Sequence, residues 1–335
     1  MNNRSLKLQP EINGISRRAF LRRGAGLTAA VAGVAFLPGC QVCNLTREKH
    51  TDVTFFIAGD THYGRNQLKD NEATNKSVID EMNSAPAIFS YPKSLGGKKI
   101  NTPRAVLVAG DITDHGLQKQ WSGVDGKDGF ASDYGINGNC RLKYPVYEGF
   151  GNHDYELSGE DHYAKDQVRI RNQSREGITN LSKNSFHYSW DWDNVHFINL
   201  NMYPGPKGNR WAEAEGSVDF LKEDLTIKVG RSNRPVIIYH HFGLDESSQK
   251  WWEAEDRDIY YETIKDYNII GIFHGHTHHP KVYQWRGIDI YDVGAGVNGE
   301  WAAVNITDSE LIFACRNREG WNITARKILK PVATK

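Results

Sequence analysis

The chain has 335 residues, with 41 Lys and Arg against 41 Asp and Glu, 39% hydrophobic residues and 32 glycines. The first 39 residues carry six of the basic groups and one acidic group, so the remainder holds 35 basic against 40 acidic side chains. This composition suits one large domain with a sizeable core, and the mildly acidic body argues against broad nucleic-acid binding, which needs a basic footprint.

In chain order, a basic leader comes first. Ser16-Arg17-Arg18-Ala19-Phe20-Leu21 precedes an Ala- and Gly-rich apolar run over residues 24–36, too short for a comfortable membrane span. The pattern resembles a twin-arginine export signal, which implies the twin-arginine export machinery as a partner and transfer across a bacterial inner membrane. Leu37-Pro38-Gly39-Cys40 resembles a lipobox with Cys40 as the lipidated residue, so a periplasmic or membrane-anchored lipoprotein is expected, with a membrane contact through Cys40. Cleavage by an ordinary signal peptidase is the alternative. The expected organisation is a signal peptide over 1–39, a linker over 40–52 and one domain over 53–330.

Residues 53–58 form an apolar, β-rich run ending at Gly59-Asp60-Thr61-His62, and 71–82 reads as a polar helix. Residues 87–103 read as a surface insertion. A second buried strand over 104–109 ends at Gly110-Asp111-Ile112-Thr113-Asp114. The Gly-, Asp- and Asn-rich stretch 122–139 lacks the EF-hand register and is read as a solvated loop. A third strand over 145–150 ends at Gly151-Asn152-His153-Asp154, and a charged helix is expected over 160–176. Residues 186–190 and 195–200 form a hairpin pair, 217–227 a helix, and 235–239 a fourth buried strand ending at His240-His241. A helix from near 248 to 267 precedes the apolar run that ends at His274-Gly275-His276-Thr277-His278. Strands over 281–285, 288–293, 301–306 and 311–315 close the chain. Strands alternating with helices, then a run of strands, predict a layered α/β sandwich. Of the four cysteines, Cys40 and Cys43 follow the leader rather than a strand, which argues against a redox motif. A Cys140–Cys315 bridge is left open.

Five apolar strands thus end in polar clusters, and open α/β sheets place ligand sites at the carboxyl ends of their strands. The inventory is Asp60, Asp111, Asn152, His62, His240, His276 and His278. His240 is chosen over His241 because it directly follows the strand. His276 and His278, two apart, face one side on an extended backbone. This mixed oxygen and imidazole set suits Zn, Mn or Fe better than an all-oxygen Ca or Mg cage, and seven ligands fit two ions sharing a carboxylate.

Asp60-x-His62, Gly110-Asp111-x-x-Asp114, Gly151-Asn152-His153-Asp154, His240 and Gly275-His276-x-His278, in that order, closely resemble the motifs of the calcineurin-like metallophosphoesterase superfamily over roughly residues 53–295. The resemblance implies a four-layer α/β/β/α sandwich of two mixed sheets flanked by helices, and two divalent metal ions. By motif, Asp60, His62 and His278 would hold one metal, Asn152, His240 and His276 the other, and Asp111 would bridge them. His153 would contact the phosphate and assist the leaving group, with Asp154 orienting it or capping a turn; Asp114 would cap a turn or support the ligands. His240-His241-Phe242-Gly243 departs from the family's usual His-x-Pro. The implied function is hydrolysis of a small phosphoester by a metal-bound hydroxide, most simply by a phosphodiesterase. A phosphomonoesterase on the same frame and a non-catalytic metal-binding protein are the alternatives. Tyr203, Trp211, Trp251 and Trp252 are read as rimming the site or packing loops onto the core, and His115 and His279 as the remaining histidines best placed to line it.

Overall fold

Alternation along the first strand explains the layers. In the computed structural model, which describes residues 50–65, 71–154, 162–207 and 214–330, Val53, Phe55 and Ile57 pack on one face of that strand and Phe56 and Ala58 on the other. Both faces are covered, which is why the strand reads as a continuous apolar run. The leader with Cys40 and Cys43, and also Trp211, lie outside the described residues.

The elements run β1 (Asp52–Ala58), α1 (Asn71–Ile88), β2 (Val106–Ala109), α2 (Gln118–Ser122), α3 (Phe130–Asp133), β3 (Val146–Gly149), α4 (Tyr163–Ser174), β4 (Ile178–Leu181), β5 (Tyr188–Trp192), β6 (Val195–Asn199), α5 (Ser217–Asp224), β7 (Val236–Tyr239), α6 (Ala254–Ile264), β8 (Ile269–His274), β9 (Lys281–Trp285), β10 (Ile288–Asp292), β11 (Trp301–Thr307), β12 (Glu310–Asn317) and β13 (Gly320–Ile328). One sheet has the order β13-β12-β11-β1-β2-β3, the other β4-β5-β6-β7-β8-β10-β9. β1, β2 and β3 are mutually parallel, as are β6, β7, β8 and β10, while the flanking strands are antiparallel. The expected sandwich of two mixed sheets flanked by helices is what the chain forms.

The sheets meet through aromatic side chains. Phe55 lies edge-on to Phe197 and Phe273, at 5.5 and 5.8 Å between ring centres. The hydroxyl of Tyr239 donates to the Tyr147 carbonyl across the layers at 3.1 Å. On the outer faces, Ile79 and Met82 of α1 and Leu221 and Tyr260 of α5 and α6 complete the core. Within β3, fully buried Glu148 pairs at 2.8 Å with both Arg171 and Arg175.

Several elements differ from the sequence reading. α1 runs six residues further, with Pro86 in its last turn. The stretch 248–267 forms a short turn and then α6, because Trp252 turns inward and donates its indole N–H to the Gly243 carbonyl. β4 and β13 were not predicted: β13 alternates between half-buried and exposed side chains, so it carries no continuous apolar run. Cys140 and Cys315 are both free thiols, Cys315 buried, so that bridge does not form.

Candidate metal centre

The loops after β1, β2 and β3 meet those after β7 and β8, so one sheet supplies half of the site and the second sheet the other half. Backbone bonds fix the junction: Asp60 N–H donates to the Gly110 carbonyl, and His62 N–H to the Asp111 carbonyl, both at 3.0 Å. The motif glycines are needed here. A Cβ on Gly275 would stand 2.2 Å from Asp60 Oδ2, and one on Gly151 2.2 Å from Asp111 Oδ1. Asp60, His62, Asp111, His276 and His278 all take positive φ, between 43° and 72°. Non-glycine residues adopt that region at a cost, and such strain concentrates at functional sites.

Two groups of donors result. In one, His278 Nε2 lies 3.1 Å from Asp60 Oδ1 and 3.0 Å from His62 Nε2. In the other, His241 Nε2 is 3.1 Å from Asp111 Oδ2, 3.1 Å from Asn152 Oδ1 and 3.3 Å from His276 Nδ1. His62 Nε2 stands 3.7 Å from Asp111 Oδ2, so Asp111 lies between the groups. Ligands bonded at about 2.0–2.2 Å in tetrahedral or octahedral geometry sit roughly 3.0–3.5 Å apart. The donor spacings match the edges of two such polyhedra. Asp60 Oδ1 is buried and makes no hydrogen bond of acceptable geometry, as expected of an oxygen placed for a cation. The residues present therefore fit two divalent ions.

Secondary bonds fix which ring nitrogen faces inward. His241 Nδ1–H donates to the Ala109 carbonyl at 2.8 Å, leaving Nε2 for the site, and His62 Nδ1 lies 3.2 Å from Asp114 Oδ1. Such partners orient metal-binding imidazoles. Each central carboxylate also accepts a backbone N–H from another loop: His276 N–H to Asp60 Oδ2 at 2.8 Å, and His153 N–H to Asp111 Oδ1 at 2.9 Å.

Burial alone would raise the pKa values of both central carboxylates. The neighbouring imidazoles outweigh it, through His278 and His241 for Asp60 and chiefly His241 for Asp111, so both are lowered. Burial likewise opposes charge on His241, but Asp111 and Asp60 push its pKa up to about 9. The anions that hold a proton there are those that would hold a metal ion. Burial and the charge on His241 pull His276 down to about 3, so it is a neutral imidazole with a free lone pair.

One sequence expectation is corrected and one left open is decided. His240 is not in either donor group. Along β7, Ile237 and Tyr239 face the other sheet while Val236 and Ile238 face the helices, so the alternation sends His240 outward and His241 inward. His240 packs against Trp252 and Tyr260, and burial, then the charge on His274, lowers its pKa to about 3. Asp154, expected either to orient His153 or to cap a turn, does the second: its oxygens accept from the Gly151, Ile112 and Thr113 N–H groups and the Thr113 hydroxyl, at 2.8 to 3.0 Å. It holds two loops together. His153 is instead fixed through Nδ1 to the Asp114 carbonyl at 2.9 Å, with about a third of its side chain exposed.

The structure brings together Asp60, His62, Asp111, Asn152, His276 and His278 with His153 beside them. Among the rim residues, Tyr203 and Trp252 are buried packing groups, whereas Trp251 lies 4.8 Å from His276 between ring centres. His279 lines a cavity walled by His276 itself, and His115 lines another whose walls include none of the donors.

An α/β sandwich whose two sheets share a pair of carboxylates ringed by imidazoles defines the dimetal class of phosphoesterases. The chain belongs to the calcineurin-like phosphoesterase family, whose model matches residues 53–280. Among solved structures it is similar to a dimetal phosphatase from Danio rerio, at 12% identity and TM-score 0.52 over 81% of this chain and 98% of that one. It is also similar to GAP50, the anchor in the inner membrane complex of Plasmodium, at 10% identity and TM-score 0.51 over 84% and 90% of the two chains. At such identities the likeness is one of fold. No curated protein matches the chain by sequence.

Proposed function

We propose that the chain is a dinuclear-metal hydrolase that acts as a phosphodiesterase, with Asp60, His62 and His278 holding one ion, Asn152, His241 and His276 the other, and Asp111 between them. The observation that carries this is the pair of donor groups sharing Asp111. Two divalent ions held there would neutralise phosphoryl oxygens and help deprotonate an attacking water. The protein's own part is to orient and to move a proton. With Nδ1 fixed on the Asp114 carbonyl, His153 presents Nε2 to the leaving oxygen, where it acts as acid or as electrostatic stabiliser. Asn152 contributes a neutral oxygen, which keeps the centre from becoming over-compensated by anions.

The diester reading is supported by two cavities, one walled by a donor and one linked to the centre through His115 and Asp114. One cavity of about 290 Å³ opens beside His115, whose Nε2 lies 3.2 Å from Asp114 Oδ2; a second of about 320 Å³ is walled by His276 itself. A diester has two organic arms and a monoester one. The phosphatase alternative draws on the Danio rerio protein, described as a dimetal phosphatase. The test compares bis(p-nitrophenyl) phosphate with p-nitrophenyl phosphate on metal-loaded protein, alongside Asn152→Ala and His153→Ala. A diester preference abolished by both substitutions is expected; a monoester preference assigns the phosphatase role, and metal binding without turnover of either ester counts against the hydrolase.

Arg17-Arg18 and Cys40 support export across a bacterial inner membrane and anchoring by a lipid on Cys40. Replacing Cys40 by Ala should move the protein from the membrane to the soluble periplasmic fraction, and an unchanged distribution would remove the anchor from the reading.

A further inference from the structure

The cavity beside His276 differs from its counterpart beside His115 in charge. Lys250, Lys281 and His279 line it with Ser247, Trp251 and Thr277, and no carboxylate is among its walls, whereas the cavity at His115 has Glu72 and Asp128 facing Lys119 and Lys127. Lys281 is neutralised by an ion pair with Asp245. Lys250 is not: among the described residues no carboxylate pairs with its ammonium group, which lies 5.3 Å from the centre of the Trp251 ring. Ser248, in the same wall, is fully buried and its hydroxyl has no hydrogen-bond partner among the described residues. The indole of Trp251 in turn meets His276 at 89° and 4.8 Å, so the cationic wall is continuous with the metal ligands.

We infer that this cavity is the subsite for a second anionic group of the substrate, making the preferred substrates phosphodiesters whose retained alcohol carries a further phosphate or carboxylate, with Lys250 as the specificity-determining residue. The inference rests on the hydrolase reading of the preceding subsection. The arm that departs is served by His153, at the opposite end of the centre, so the arm in this cavity is the one that stays on phosphorus. A cavity of about 320 Å³ is at the small end of ligand sites, which run to about 1,000 Å³. Its lining of lysine, histidine and hydroxyl groups suits a compact charged arm rather than an acyl chain.

The test holds the leaving group constant. The p-nitrophenyl phosphodiesters of 3-hydroxypropionate, ethylene glycol and choline present an anionic, a neutral and a cationic arm. Wild-type protein is expected to favour the anionic over the neutral arm in kcat/KM by about tenfold, the worth of one charge-assisted contact. Lys250→Met should erase that ratio, and Lys250→Glu should invert the order of the anionic and cationic arms. Ratios cancel any general loss passed to His276 through Trp251. In parallel, calorimetry on the metal-loaded protein compares 1,3-propanediol bisphosphate with propyl phosphate; the second phosphate should tighten binding about tenfold in wild type and not in Lys250→Met. Diester turnover with ratios that ignore Lys250 would overturn the subsite. So would equal binding of the two phosphates. Lys250-dependent binding of the bisphosphate without turnover of any diester would uphold the subsite while removing the phosphodiesterase reading, so the two fail separately.

Discussion

Exchanging the roles of two adjacent histidines is the sharpest consequence of the geometry. His241 touches three donors of the second group at 3.1 to 3.3 Å and donates to the Ala109 carbonyl. Loss of partners one shell further out already costs about 10–100-fold in metal affinity. Removing a ligand itself should cost at least about 100-fold, or roughly 2.7 kcal/mol at 1.36 kcal/mol per decade. His241→Ala should therefore retain about one ion per chain after dialysis against dilute metal, by elemental analysis, with diesterase turnover lost. His240 is a neutral, fully buried imidazole against Trp252 and Tyr260. His240→Phe exchanges two buried ring nitrogens for carbon at similar volume, so thermal unfolding should shift by no more than about 1–1.5 kcal/mol equivalent. Its metal content should stay at two. Two ions in His241→Ala together with one in His240→Phe would refute the assignment and restore His240 as the ligand.

Gly275→Ala should abolish both metal uptake and turnover while far-UV circular dichroism is retained, because its Cβ would stand 2.2 Å from Asp60 Oδ2; full metal occupancy would show that the loop can give way. Glu148→Gln strips the negative charge from between buried Arg171 and Arg175, which should cost about 3–5 kcal/mol and lower Tm by several degrees, and an unchanged Tm would contradict it. His196 lies 2.7 Å from both Asp191 and Asp224. Burial opposes its charge, but the two carboxylates outweigh burial and raise its pKa. Its stabilisation is then complete below the unfolded value of about 6.5 and is lost as pH rises through the raised folded value. The urea midpoint of wild type should fall over that rise and that of His196→Gln should not; parallel pH profiles would exclude the coupling.

Much of the centre was legible because its candidate ligands follow apolar strands, and such runs stand out in a polar sequence. Asp60, His62, Asp111, Asn152, His276 and His278, which the structure brings together, all follow such runs. His241 was not, because adjacency to the strand cannot say which face of β7 turns toward the other sheet. The clue was present in period two: Tyr239 and His241 share a face, and only the partner sheet makes that face the inner one. Asp154 was left with two roles for a related reason. A carboxylate next to His153 in sequence can orient it or cap a turn, and which it does depends on where the Ile112 and Thr113 N–H groups fall. β13 escaped because its half-exposed alternation is weak, and α6 began late because nothing in the sequence signals the inward turn of Trp252.

Asp60 Oδ2 accepts the N–H of His276, a residue 216 positions away. That contact joins the earliest strand of the domain to a late one, across two sheets that the chain connects only through the segments from β3 to β4 and from β10 to β11. Contacts of such long range close late, after the loop entropy of the intervening chain has been met. The coordination pocket thus comes into being only when both sheets have docked, and neither half can capture a pair of ions alone. Ion binding then adds to native stability by mass action, in proportion to the logarithm of free metal over its dissociation constant. Metal capture would then report completed docking of the sheets, since a chain with a misdocked sheet forgoes that stabilisation.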